Sequence, residues 1–331
     1  MTYQKIGIVG GGAWGTALAA AVCKSGRDAL LWAYEGDTVA EINSSHTNTT
    51  YLADIPLDPK LRATGDMLEI AAQDAILMVA PAQHTRAIAG QMADILPAGR
   101  PVIMCSKGIE QKTASLMSQV LAETLPKAVP AVLSGPSFAS EVAQGLPAAL
   151  TLACEDEALG QALAKSIGHA TFRPYWSSDI IGAQIGGAIK NVLAIAAGIV
   201  RGRKLGSNAH AAITTRGYSE MVRFGTALGA RPETMTGLSG LGDLILTCGS
   251  PQSRNMSLGI ALGEGKTLDE VLGARKSVSE GVYTASAVAG IAKEKGLDLP
   301  ICLAVQAVVS GSSSVDDAIT DLLARPFRAE L

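Results

Sequence analysis

Lys190 is the only charge in the apolar run 182–200 (GAQIGGAIKNVLAIAAGIV). An isolated charge is costly to bury unless it is paired or deprotonated. The chain therefore either gives this lysine a partner or uses it as an acid and base. Asn191 adds a second polar group. On a helix, Gly186, Gly187 and Ala194 fall at i−4, i−3 and i+4 from Lys190. That face carries no bulk, which leaves room for a ligand or for a close neighbouring backbone.

Near the N-terminus, Gly10, Gly12 and Gly15 have G-x-G-x-x-G spacing. An apolar run of strand type, Lys5–Val9, precedes them. Residues 16–25, Ala-rich and helix-forming, follow and stop at Gly26. Strand, glycine turn and helix in that order form the dinucleotide fingerprint. Gly10 permits the tight turn, Gly12 lets the backbone approach a pyrophosphate, and Gly15 lets helix and strand lie close. The helix N-terminus offers N–H groups to the phosphates.

Further candidates sit in loops. Lys107 follows an apolar strand and precedes Gly108, where it can meet a substrate or cofactor; it also reads as a surface lysine. The segment 134–139 (SGPSFA) can present N–H groups to an anion, or Ser137 can cap the next helix. Gly237-Leu-Ser-Gly-Leu-Gly-Asp243 ends in an acid, and Asp243 and Thr247 would share a helix face. Asp243 is either a helix cap or the carboxylate that tunes Lys190. Ser253-Arg254-Asn255 opens a helix, as a phosphate receptor or as a solvated arginine behind a serine cap. Val278-Ser279-Glu280-Gly281 is a turn with one acid.

The elements that must hold these residues divide in two. Strand-like runs at 29–32, 75–80, 102–105, 131–134 and 148–153 alternate with helical stretches such as 85–96 and 113–125. This implies an α/β, doubly wound (Rossmann-type) parallel sheet over residues 1–180. Residues 181–331 read as all-helical, with helices at 180–200, 207–228, 254–263, 267–274, 283–295, 300–310 and 315–324. Ligands in such sheets bind beyond the carboxyl ends of the strands. Lys107 and the 134–139 segment therefore face the cleft towards the second domain.

Hydrophobic residues at 48% and charged residues at 17% describe a globular chain able to fill two cores. Net charge is −3 with no basic tract, which argues against nucleic acid as a partner. Cys23, Cys105, Cys154, Cys248 and Cys302 are odd in number and scattered, as in a reducing compartment. Neither they nor the four histidines form a metal pattern. The chain opens directly into a strand, so no signal peptide is expected and the location is cytoplasmic. The run 182–200 has the length of a membrane span. Its central Lys190 and Asn191 argue for a buried helix instead.

The motifs GGGAWGTALA, CSKGIE, LSGPSFA, AIKNVLAIAAGI, GLSGLGDLILTC, SRN and VSEGVYTA occur in this order from residue 6 to about 285. Together the chain resembles the bacterial NAD(P)-dependent sn-glycerol-3-phosphate dehydrogenases. His46-Thr47-Asn48 and Tyr51-Leu52 resemble that family's loop after the second strand. AIKN and GLGDLILTC with SRN are far more specific than the glycine fingerprint. The resemblance implies a nucleotide-binding domain followed by a helical one. It also implies that Lys190 is the proton donor and acceptor, assisted by Asn191, Lys107 and Asp243. Lys107, Gly135, Ser137, Lys190, Asp243, Thr247, Ser253, Arg254 and Asn255 would hold substrate. Besides the three glycines, Ala13, Trp14, Tyr34, Glu35, Lys107, Ala139, Arg254, Val278 and Glu280 would contact NAD(P)H. A homodimer is implied as well.

Two departures stand out. The family often reads Leu-Trp-Gly-Arg after the second strand, an arginine that suits a 2′-phosphate. Here Tyr34 takes that place, and Glu35 lies about 20 residues beyond Gly15, where an acid can bind a ribose 2′-hydroxyl. Ala53 stands where the family usually has proline. The implied reaction is reversible reduction of dihydroxyacetone phosphate to sn-glycerol 3-phosphate, a precursor of glycerophospholipids. The alternatives are a two-domain hydroxyacid dehydrogenase acting on a carboxylate substrate, and an NAD(H)-sensing regulator. The Ser-Arg-Asn segment favours the phosphorylated ketone over the first. A regulator would need an output surface that the sequence does not display.

Overall fold

A computed structural model describes residues 2–273 and 279–327 of the chain. Val278 lies outside the described residues. Eight strands form one sheet: β1 (Lys5–Val9), β2 (Asp28–Trp32), β3 (Arg62–Thr64), β4 (Ala75–Met78), β5 (Pro101–Met104), β6 (Val129–Ser134), β7 (Ala148–Ala153) and β8 (Phe172–Ser177). Their spatial order is β3-β2-β1-β4-β5-β6-β7-β8. The order reverses next to β1, at the switch point where α/β sheets bind ligands.

The first six strands are parallel, as the alternation of strands and helices predicts. β7 pairs antiparallel with β6, Ser134 opposite Thr151, and β8 pairs parallel with β7. The sheet is therefore mixed at one side, where all strands were expected to be parallel. A parallel partner for β6 requires a long crossover. Only the segment 135–147, with the short helix Ala139–Gln144, separates β6 from β7. Every residue of β4 and β5 is buried, as strands covered on both faces require.

From Ile180 onward the described elements are helical. The central helix Ile180–Gly202 starts on Asp179, whose Oδ1 accepts from the Gly182 N–H at 2.8 Å and whose Oδ2 accepts from the Arg231 N–H at 2.9 Å. This helix is long and apolar enough to cross a membrane, yet 94% of its most apolar window is buried inside the protein. The helices Gly206–Ala227, Asp243–Gly249, Arg254–Gly263 and Glu280–Lys295 surround it. Small residues set the spacing. A Cβ on Gly198 would stand 2.8 Å from the Gly259 Cα, and one on Gly259 would stand 3.0 Å from the Gly198 Cα. Neither position tolerates a side chain without parting the helices, so abundant glycine and alanine do here what bulky interdigitation does in other cores.

Candidate active site

The central helix delivers Lys190 and Asn191 into a buried polar knot. A single turn of π-helix, Leu238–Gly242, precedes the helix Asp243–Gly249 and aims the Asp243 carboxylate at the lysine. Lys190 Nζ donates to Asp243 Oδ1 at 2.5 Å and to Thr247 Oγ1 at 3.0 Å. Thr247, one turn beyond Asp243, donates its own proton to the Asp243 carbonyl at 2.6 Å. That hydroxyl is thereby fixed as an acceptor for Lys190.

Lys107 reaches the same carboxylate from the loop after β5. Its Nζ donates to Asp243 Oδ2 at 2.8 Å and to the Gly135 carbonyl at 2.8 Å. One carboxylate thus holds two ammonium groups, and Asp243 itself has no solvent exposure. An ammonium has three donors. In each lysine two are used, and the third has no acceptor among the described residues.

Burial pushes Lys190 down from the ordinary lysine range to about 7. The Asp243 charge opposes that shift, and the Lys107 charge adds to it. A lysine so placed exchanges its proton near neutral pH, as a general acid and base requires.

The bulk-free face beside Lys190 is filled by protein rather than left open. A Cβ on Gly186 would collide with the Ser239 carbonyl, and one on Gly187 would lie 2.7 Å from Ser134 Oγ and 3.3 Å from Lys107 Cγ. Of the two uses that face allowed, close backbone approach is the one found.

Asn191 and Asn255 link four segments. Asn191 Nδ2 donates to the Lys107 carbonyl at 2.9 Å, and Asn255 Nδ2 donates to Asn191 Oδ1 at 2.9 Å. Asn255 Oδ1 accepts from the Gly281 N–H at 3.1 Å. The Asn255 side chain is thereby committed to the protein. Ser253 caps its helix, accepting from the Met256 N–H at 3.2 Å. Arg254, at the first position of that helix, is exposed, and its charge acts on Glu280.

Glu280 Oε1 accepts from the Ala82 N–H at 2.9 Å, while Oε2 has no hydrogen-bond partner among the described residues. Burial raises its pKa. Ser137 does not cap the following helix. Phe138 is the N-cap residue of Ala139–Gln144, and the Ser137 hydroxyl donates to the Gly135 carbonyl at 3.0 Å. Gly135 has φ +146°, and its carbonyl accepts from Lys107 as well.

The glycine turn follows β1. Gly10 has φ +129°, a conformation that L side chains rarely adopt. Gly15 touches the Gly10 carbonyl. A Cβ on Gly12 would meet nothing within 4 Å. Ala13 and Trp14 open the helix Ala13–Lys24, which has no side-chain cap and so leaves N–H groups for an anion. Asn48 braces this turn, donating to the Gly11 carbonyl and to Thr16 Oγ1, both at 2.8 Å. The turn thus has the form that a dinucleotide pyrophosphate needs. Tyr34 and Glu35 follow β2 at the exposed edge of the same turn.

Residue-type reasoning assigned no role to Glu110 and Arg86. Arg86 Nε and Nη2 bind the buried Glu110 carboxylate at 2.8 to 3.1 Å, and Thr113 donates to it as well. This pair anchors the loop that carries Lys107. The acid in the CSKGIE motif was the visible signal, but nothing local named its partner. Among the described residues no three His, Cys, Asp or Glu side chains gather in a way that could hold a metal ion.

Comparison with known proteins gives the family. Residues 5–160 match the NAD-dependent glycerol-3-phosphate dehydrogenase N-terminus, and residues 179–320 match the C-terminus of the same family. The chain is 58% identical over 330 residues to a glycerol-3-phosphate dehydrogenase (NAD(P)+) of Parvibaculum lavamentivorans, covering 100% of this chain and 99% of that protein. It is 56% identical to the enzyme of that name from Caulobacter vibrioides, covering both chains fully. A crystal structure of glycerol-3-phosphate dehydrogenase from Coxiella burnetii superposes with a TM-score of 0.93 at 37% identity, covering 98% of this chain and 99% of that one. With two family halves matched in order and these relatives aligned end to end, the chain belongs to the NAD-dependent glycerol-3-phosphate dehydrogenase family.

Proposed function

We propose that residues 1–180 bind NAD(P)H, that residues 181–331 complete the site, and that the chain interconverts dihydroxyacetone phosphate and sn-glycerol 3-phosphate. The observation that carries this reading is the buried carboxylate of Asp243 between Lys190 and Lys107. The nicotinamide, when bound, supplies or accepts the hydride at the substrate's central carbon.

The protein's own groups do the rest. In the direction of reduction the ketone oxygen gains negative charge. The free donor of Lys107 faces that charge and stabilises it. The free donor of Lys190 gives it a proton, and the neutral amine left behind is acceptable in a buried site. In the reverse direction the neutral Lys190 takes the hydroxyl proton. Asp243 and Thr247 aim the Lys190 nitrogen, and Asn191 holds the Lys107 backbone in place.

Arg254 and the start of its helix, including the Asn255 N–H, receive the substrate phosphate. Gly135, Ser137 and Ser253 border the substrate. Gly10, Gly12, Ala13, Trp14 and Gly15 hold the pyrophosphate side of the cofactor. Tyr34 and Glu35 face its ribose, and Ala139 and Glu280 border its remaining length. We place the enzyme in the cytoplasm, where its five free cysteines stay reduced. It works there as a homodimer, with glycerophospholipid synthesis drawing on its product.

The test is oxidation of reduced nicotinamide by the purified chain. Consumption that depends on dihydroxyacetone phosphate, and not on unphosphorylated 2-oxoacids, supports the reading. The opposite dependence would assign the chain a carboxylate substrate.

A further inference from the structure

We propose that this chain selects NADH over NADPH and that Glu35 is the discriminating residue. The proposal rests on the dinucleotide reading of the glycine turn and deepens it.

The residues after β2 lie directly against that turn. The Gly10 N–H donates to the Trp32 carbonyl at 2.9 Å. A Cβ on Gly11 would stand 2.6 Å from the Ala33 Cβ and 3.4 Å from the Thr38 methyl. Residues 34 and 35 therefore leave the sheet beside the turn, where the ribose next to the pyrophosphate belongs.

At that place the chain offers a carboxylate. Glu35 is exposed and precedes the helix Gly36–Ser45. Its Oε1 accepts from the Tyr51 hydroxyl at 3.4 Å, and its Oε2 has no partner among the described residues. A free carboxylate oxygen accepts a hydrogen bond from a ribose 2′-hydroxyl. A 2′-phosphate is mostly dianionic at neutral pH, so it seldom has a hydrogen to give, and it adds negative charge of its own.

No cation from the same segment offsets that repulsion. From Asp28 to Pro59 the chain contains no lysine or arginine, while Asp28, Glu35, Asp37, Glu41, Asp54 and Asp58 are all acidic. Tyr34, 84% exposed, brings no charge to the position beside Glu35. A phosphate bound here would meet no lysine or arginine from residues 28–59.

The test is calorimetric titration of the full chain, without substrate, with NADH and with NADPH. NADH is expected to bind tighter by roughly tenfold or more, the scale of one unscreened charge repulsion. Glu35→Gln is expected to shrink that ratio by weakening NADH and strengthening NADPH. Tyr34→Arg combined with Glu35→Gln is expected to reverse it. Equal or tighter binding of NADPH by the native chain would overturn the proposal, as would a ratio unmoved by Glu35→Gln. NADH selectivity without reduction of dihydroxyacetone phosphate would leave the proposal standing and remove the assigned reaction. Reduction of that ketone without selectivity would do the reverse, and binding of neither cofactor would remove both.

Discussion

Asp243 Oδ1 lies 2.5 Å from Lys190 Nζ, a contact between residues 53 positions apart and sealed from solvent on the carboxylate side. Burial alone drives Lys190 towards the neutral amine, and Asp243 limits that drop.

Asp243→Asn should therefore push the Lys190 pKa below about 7 and move the pH profile of ketone reduction to lower pH. Turnover should fall by about 10² or more at neutral pH, the scale of a disturbed general acid. The variant also leaves two ammonium groups without their carboxylate. Its stability should drop by about 3–5 kcal/mol, as for other broken buried ion pairs. Chemical unfolding beside a pH–rate profile checks both effects, and a profile identical to the native one would exclude Asp243 from tuning.

The two reaction directions should show opposite pH limbs. Reduction needs the Lys190 ammonium, so its rate should decline as pH rises through about 7. Oxidation of glycerol 3-phosphate needs the neutral amine and should rise through the same range. Stability follows the same proton. The folded lysine has a lowered pKa, so between about 7 and the unfolded value the unfolded chain binds more protons. This group's contribution to stability therefore increases with pH across that window. Lys190→Met should flatten both trends.

Gly12→Ala and Gly15→Ala should fail in different ways. A methyl on Gly12 meets no protein atom within 4 Å, so the fold should keep its melting temperature while cofactor affinity falls. A methyl on Gly15 collides with the Gly10 backbone. Overpacking of that kind costs about 1–3 kcal/mol, and melting temperature should fall with or without cofactor. Thermal melts paired with cofactor titration separate the two.

Glu110→Gln should weaken the loop of Lys107. Its carboxylate pKa is lowered mainly by hydrogen bonds from Arg86, opposed by burial. A lowered folded-state pKa means that the pair stabilises the protein above the ordinary glutamate pKa and loses that effect as pH falls below it. The native chain should therefore lose stability on acidification more steeply than Glu110→Gln. Comparing unfolding midpoints of the two proteins from neutral to acidic pH tests this; parallel curves would contradict it.

Legibility in the sequence followed locality. β1, the glycine turn and its helix were readable because spacing and order within 20 residues encode them. β3 was not, since Arg62–Thr64 holds one apolar residue. Nor was β8, whose Phe-Arg-Pro-Tyr-Trp-Ser carries Pro174 and mixes exposed with half-buried positions. The reversal of β7 turns on pairing, which strand composition does not record. At the site, Asp243 and Thr247 were readable as one helix face. Lys107 meeting Asp243 across 136 positions depends on how the helical half seats on the sheet, and no local pattern fixes it. The tie that the Asn255 side chain makes between Asn191 and Gly281 is a contact of tertiary packing, and no local pattern records it.

Lys190 carries the proton in the proposed reaction. Its most direct test is single-turnover reduction of dihydroxyacetone phosphate by Lys190→Met, with cofactor affinity measured on the same protein. The rate should fall by about 10²–10⁴, the range of general acid–base catalysis, with cofactor affinity unchanged. A rate within a few-fold of the native enzyme would contradict it.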